Sequence, residues 1–231
     1  VSVATQLALD HLVVAARTLD EGVQWCEATL GITPGPGGRH DFMGTHNRLF
    51  AIGSPAFPRA YFEIIAIDGE APPPARRRWF DLDDAALRRA IAGAPQLVHW
   101  VARTGDIGAR CAALRAAGID RGVPVAAQRD TPRGLLRWSI SLRDDGARLC
   151  EGALPTLIEW GDVHPADTMP ASGVVLQRLQ LAGVPAQAWP LVAAPGVDLA
   201  AQGPALSATL ATPRGIVVLY APTSGSDDVQ R

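Results

Sequence analysis

The sequence predicts an α+β fold organised as two β-α-β-β-β modules followed by a partial third unit. Three observations carry this expectation. A strand-like run, a helix-like run and a glycine stop follow one another over residues 8–31 and again over residues 96–118. Each of the two opening runs carries one histidine near its middle, His11 and His99. Each helix is then followed by further short strand-like runs, the last of which contains a glutamate, Glu63 or Glu159.

The elements follow in chain order. "LALDHLVVAA" is aliphatic and β-branched and reads as a strand. Thr18 or Asp20 suits the N-cap of a helix over "LDEGVQWCEATLG", with Val23, Cys26 and Leu30 at helical spacing and Gly31 as its stop. "PGPGG" is a loop, and "THNRLFAIG" and "AYFEIIAID" are strands separated by "SPAFPR". "EAPPPARRR" reads as a solvated Pro- and Arg-rich connector, with a short helix after it over "DLDDAALRRAIAGA". "QLVHWVARTGDIGARCAALRAAGI" repeats the strand, helix and glycine stop, and "LLRWSISLR" and "PTLIEW" supply later strands. From residue 173 a weaker unit has strands "SGVVLQRLQLAGV", "ALSATLAT" and "GIVVLYAP" around a "PAQAWPLV" stretch. The expected boundaries are 1–70 and 96–162 for the two modules, 71–95 for the connector, 163–222 for a βαββ-like extension and 223–231 for a frayed polar tail.

Composition limits the function. With 48% hydrophobic and 19% charged residues the chain is expected to bury a real core. A net charge of -2 and a pI near 6.2 argue against a nucleic-acid surface, which needs a basic face. Cys26, Cys111 and Cys150 are an odd set without CxxC spacing, which suits reduced thiols. No signal-like leader and no apolar run of membrane-spanning length is visible, so a cytoplasmic protein is expected. There is no GxSxG elbow and no phosphate-binding loop; "GPGG" lacks the strand-to-helix context.

His11 shares a strand face with Leu9, Val13 and Ala15, and Glu63 shares one with Tyr61 and Ile65. A carboxylate inside "YFEIIAI" or "TLIEW" costs several kcal/mol if it is buried without a partner. Two imidazoles and two carboxylates around a divalent cation would remove that cost, and such a donor set suits Zn, Ni, Co, Mn or Fe(II). The bland alternatives are hydrogen-bonded core histidines, Glu63 paired with Arg48 or Arg137, and Glu159 at a solvated strand end.

The repeat headed by "LDHLVVAARTLDEGVQWCEATLG" resembles the vicinal oxygen chelate superfamily, which includes glyoxalase I, epimerases, extradiol dioxygenases and bleomycin-resistance proteins. More narrowly, "GPGGRHDFMGTHNRLFAIG" followed by "YFEIIAID" resembles its glyoxalase-like domain branch. The resemblance implies paired βαβββ modules in a curved mixed sheet whose open cleft holds a metal. It implies His11, Glu63, His99 and Glu159 as the four metal ligands, with Glu63 or Glu159 as the catalytic base. The activity so implied is that of a divalent-metal-dependent isomerase or lyase acting on a small oxygenated substrate through an enediolate-type intermediate. The alternatives are a metal-free small-molecule binding protein and an Fe(II) dioxygenase.

In "LLRWSISLR", Trp138, Ile140 and Leu142 fall on one face and Arg137, Ser139 and Ser141 on the other. With the apolar face on the helices, Arg137 and Ser139 line the cleft, and Arg137 either grips a substrate anion or pairs locally. Of His46 and Asn47, Asn47 is preferred as the inward residue, with Arg48 reaching the rim. His40 and His164 are expected to face solvent, and Trp100 and Trp160 to point into the helix layer. The expected partners are a small-molecule substrate and a second copy in a homodimer, without nucleic acid or membrane.

Overall fold

The structure is a computed structural model that describes residues 7–131 and 134–222. The first module runs β1 (Ala8–Ala15), α1 (Leu19–Leu30), β2 (Arg39–His40), β3 (Thr45–Ala51) and β4 (Tyr61–Ile67). Thr18 caps α1 by accepting the Glu21 N–H, and Gly31 ends it in the left-handed region, φ 77°. The connector carries α2 (Ala85–Gly93), capped by Asp84. The second module runs β5 (Gln96–Arg103), α3 (Ile107–Ala116), β6 (Val123–Thr131), β7 (Gly134–Leu142) and β8 (Thr156–Trp160). The third unit holds β9 (Val175–Leu181), α4 (Trp189–Val192), β10 (Val197–Leu199), β11 (Leu206–Thr212) and β12 (Gly215–Tyr220). The expected frayed tail, 223–231, lies outside the described residues.

The two modules form one mixed eight-stranded sheet in the order β2-β3-β4-β1-β5-β8-β7-β6. In each module the first strand runs parallel to the last, β1 with β4 and β5 with β8, and the modules join through the antiparallel β1–β5 pair. The sheet curls so far that its two edges approach. His40 on β2 and Arg129 on β6 line one cleft, and the Arg129 guanidinium lies against Gly38, just before β2.

One core fills the convex side. Leu12, Val14, Phe62, Trp100 and Leu157 meet the buried faces of α1 and α3, where Cys26 and Cys111 serve as packing residues. Trp100 points into this layer and donates to the Ala153 carbonyl. The third unit forms its own sheet, β10-β9-β11-β12, and adds Leu176, Leu179, Leu206 and Leu210 to the same convex core. It therefore backs the large sheet. It also has one more strand, β10, than the sequence suggested.

A second core lies on the concave side, and the connector supplies five of its sixteen buried residues. Trp79, Phe80, Leu82, Leu87 and Ile91 pack on Val13, Val98, Val101 and Leu142. The connector is thus no solvated linker: its Trp and Phe plug the half of the bowl built by the second module. Its arginines pair with nearby acids, Arg76 with Asp144 and Arg78 with Asp83.

Candidate active site

What remains open of the concave face is a small cleft over the first module. Its floor holds a chain of polar side chains on adjacent strands. Asp10 and His11 come from β1, Asn47 from β3 and Glu63 from β4. Strand alternation sends Asn47 and Leu49 inward and leaves His46 half-buried and Arg48 exposed on the other side. The parallel β1–β4 register sets Tyr61 opposite His11 and Glu63 opposite Val13. The Tyr61 ring stacks on His11 with centroids 4.5 Å apart.

Hydrogen bonds fix the protons in this chain. Asp10 is fully buried. Its Oδ1 accepts from His11 Nδ1 at 2.7 Å, and its Oδ2 accepts from Trp160 Nε1 and His164 Nε2, both at 2.9 Å. His164 Nδ1 accepts the Ala166 N–H, so its proton sits on Nε2, facing Asp10. Burial on its own would raise the Asp10 pKa, but the hydrogen bonds from His11 and His164 outweigh it and hold the carboxyl well below the usual range. Asp10 is therefore ionised, His11 carries its proton on Nδ1, and His11 Nε2 faces Glu63 Oε2 across 3.6 Å.

Glu63, 5% exposed, is held from the other side. Asn47 Oδ1 accepts the Gly38 N–H at 2.8 Å, which turns its amide nitrogen toward Glu63 Oε1 at 2.6 Å. Gly37 permits this approach, since a Cβ there would stand 1.9 Å from the Asn47 carbonyl oxygen. His40 is bonded to Thr45 Oγ1 at 3.0 Å. Burial and then the Arg129 charge push its pKa down to about 3, so it is neutral. Burial, Asp10 and Glu63 together raise the Tyr61 phenol well above its ordinary value.

Several expectations from the sequence are corrected here. His40 and His164 are buried site residues rather than solvent-facing ones. Trp160 faces the cleft, because β8 turns Thr156, Ile158 and Trp160 inward. Glu159 then points outward, where its Oε2 accepts the Ile107 N–H at the start of α3. β7 is reversed in the same way. Leu136, Trp138 and Ile140 line the cleft, while Arg137 and Ser139 lie beside Glu159 in a separate groove on the outer side.

The four implied metal ligands do not converge. His11 and Glu63 meet. His99 is fully buried under Phe80, with ring centroids 5.1 Å apart. Its Nε2 accepts the Thr156 N–H and is bonded to Thr156 Oγ1, both at 3.0 Å. The lone pair a metal needs is already engaged. Burial and then the Arg121 charge lower the His99 pKa well below its ordinary value. Among the described residues no three His, Cys, Asp or Glu side chains gather to hold a metal ion. The register explains why. Glu63 stands opposite Val13, two residues after His11, and the residue opposite Val101, two after His99, is Thr156. Threonine occupies the second module's counterpart of Glu63, and Glu159 lies three residues beyond it. The donor set present does not fit the four-ligand centre.

The family model of the glyoxalase-like domain matches residues 9–193. The chain belongs to this family. The chain is also similar to several solved structures. A hypothetical protein from Staphylococcus aureus is 15% identical, with a TM-score of 0.56 over 94% of this chain and 87% of that one. A methylmalonyl-CoA epimerase variant from Streptomyces coelicolor, in complex with 2-nitronate-propionyl-CoA, is 19% identical, with a TM-score of 0.43 over 69% and 99% of the two chains. The epimerase from Mycobacterium tuberculosis is 18% identical, with a TM-score of 0.39 over 69% and 91%. No curated protein matches the glyoxalase-like domain protein. No helix among its described residues is long and apolar enough to cross a membrane.

Proposed function

We propose that this glyoxalase-like protein is a proton-transfer enzyme of the isomerase or lyase type that acts on a small oxygenated substrate, with Glu63 and His11 as the proton-carrying pair. The observation that supports it is the chain Glu63–His11–Asp10 at the floor of a cleft. Glu63 presents a carboxylate oriented by Asn47. His11, held at Nδ1 by Asp10, turns Nε2 toward the cleft, where the neutral ring would act as a base and Asp10 would stabilise the imidazolium formed when that nitrogen takes a proton. The 3.6 Å gap between Oε2 and Nε2 leaves both lone pairs available to a reacting C–H or O–H. Glu63 would take the proton from a carbon next to a carbonyl and pass it to His11 Nε2, which it faces, and the imidazolium so formed would return it to the neighbouring position. No step is assigned to a metal ion, because the donors do not fit one.

The test is hydrogen exchange in D2O. The purified chain is incubated with a panel of 2-oxo and 2-hydroxy carbonyl compounds, and loss of the C–H signal is followed by proton NMR, with and without added divalent ions. Exchange by the wild type that disappears in Glu63→Gln and in His11→Gln supports the reading. Exchange that survives Glu63→Gln refutes it. A second reading, capture without turnover, is favoured by the aromatic walls of the cleft, Trp79, Phe80, Trp138 and Trp160. It predicts saturable binding with no exchange of any compound.

A further inference from the structure

The inner cleft is small, about 40 Å³, and adjoins an outer chamber of about 600 Å³. Leu49, Leu136, Arg129 and Pro165 line both spaces. The chamber wall is largely apolar, with Phe50 on β3 and Val163 and Met169 on the segment that follows β8. At the junction stands Arg129. Its guanidinium lies flat on Gly38, where a Cβ would meet Nη1 at 2.3 Å, so it spans the two edges of the curled sheet. Nη1 is buried without a hydrogen-bond partner, and the guanidinium pairs with no carboxylate among the described residues. A half-buried, unpaired guanidinium between a polar pocket and an apolar chamber lacks an anion.

We infer that Arg129 binds the carboxylate of an amphipathic organic acid, whose apolar remainder fills the chamber walled by Phe50, Leu136, Val163 and Met169. This names the substrate class of the proposed proton transfer, and it rests on that reading only for treating the cleft as the reaction site. A single carboxylate matches the two parallel N–H groups of one guanidinium. A phosphate dianion would place a second negative charge in a cleft that already holds Asp10 and Glu63. The chamber volume falls in the range of small-molecule pockets, and the inner cleft has room only for the reacting end.

The test is isothermal calorimetry of the full chain with octanoate, 1-octanol and acetate. Octanoate is expected to bind at one site. Octanol should bind about 10- to 100-fold more weakly, the value of a hydrogen-bonded charge. Acetate should bind over ~100-fold more weakly, for want of buried methylenes. Arg129→Gln should bring octanoate down to the level of octanol and leave octanol unchanged, which also shows that the variant is folded. Gly38→Val keeps Arg129 but displaces its guanidinium and should do the same. Met169→Trp should weaken octanoate by filling the chamber. Octanoate binding equal to wild type in both Arg129→Gln and Gly38→Val overturns the inference, as does acetate binding as tightly as octanoate. Glu63→Gln separates the two proposals. It should bind octanoate at least as well as the wild type, so an inactive panel with Arg129-dependent octanoate binding refutes proton transfer and leaves the ligand class standing.

Discussion

Asp10→Asn changes one oxygen to an amide nitrogen at the most connected point of the site. Asp10 receives three N–H donors, from His11, His164 and Trp160. In the variant the remaining carbonyl satisfies the two donors that converge on Oδ2, His164 and Trp160. The amide nitrogen then faces His11 Nδ1. Two donors cannot face each other, so His11 must move its proton to Nε2, and that nitrogen stops being a base and becomes a donor toward Glu63. One charge-assisted bond, of about 1.5–3 kcal/mol, is exchanged for a neutral one of ~1 kcal/mol, and two others are weakened similarly. Removing a fully buried carboxylate returns part of this as lower desolvation. The net expectation is a loss of about 2 kcal/mol in urea denaturation. Asp10→Ala should lose more, about 3–5 kcal/mol, since it leaves three buried N–H groups without an acceptor.

The pH dependence follows from the depressed Asp10 pKa. A carboxyl whose folded pKa lies below its unfolded value stabilises the protein above the unfolded value, near 3.8, and loses that contribution as pH falls further. The stability gap between wild type and Asp10→Asn should therefore be constant at neutral pH and narrow below about pH 4. Nitrogen-15 NMR of the histidines reads the tautomer directly, and the D2O exchange assay reads its consequence. A His11 that keeps its Nδ1 proton in Asp10→Asn, or unchanged exchange activity, would refute the orientation mechanism.

Three further outcomes are expected. His40 stays neutral in the fold down to about pH 3, whereas its unfolded value is 6.5, so stability should fall as pH drops between these values, and His40→Gln should flatten that limb by up to about 1.4 kcal/mol per pH unit. Thr156→Val removes the one hydrogen bond that the buried Arg121 guanidinium makes among the described residues, so it should cost about 1–3 kcal/mol by urea denaturation with exchange activity unchanged. Glu159→Gln keeps an acceptor for the Ile107 N–H but removes the negative charge at the start of α3, and a loss of about 0.3–1 kcal/mol with unchanged activity is expected.

The parts of this protein legible in its sequence are those decided locally. Thr18 and Gly31 bracket α1 because caps depend on a few neighbouring residues, and the strand–helix–glycine repeat is visible for the same reason. Alternation lets only one of His46 and Asn47 point inward, and Asn47 is the one that does. The failures are non-local. β6, "VPVAAQRDT", reads as polar because it is an edge strand half in solvent, and with it Arg129 was missed. β7 has an apolar face, Leu136, Trp138 and Ile140, and a polar one, Arg137 and Ser139, but alternation alone does not say which of the two faces the cleft. His164 meets Asp10 across 154 positions, beyond any periodicity. Glu159 stands on the last strand of the second module as Glu63 does on that of the first, which makes it the counterpart in the sequence, but the β5–β8 register makes Thr156 the counterpart in the fold.

That register also explains how the two modules came to differ in use. Each sets a first-strand histidine against a last-strand polar residue, His11 with Glu63 and His99 with Thr156. In the first, Asp10 behind the imidazole and Asn47 beside the carboxylate satisfy the His11 and Glu63 side chains on the open side of the bowl. In the second, Val98 stands where Asp10 does, and Phe80 of the connector closes over His99. A glutamate at position 156 would be buried beneath that plug, at a cost of several kcal/mol unless it were paired. Threonine avoids the charge, and its hydroxyl is satisfied by Arg121 and His99. The connector plug and the absence of a second carboxylate thus belong together. Plugging one half of the sheet requires a neutral residue there, and it confines any chemistry to the half that keeps Glu63.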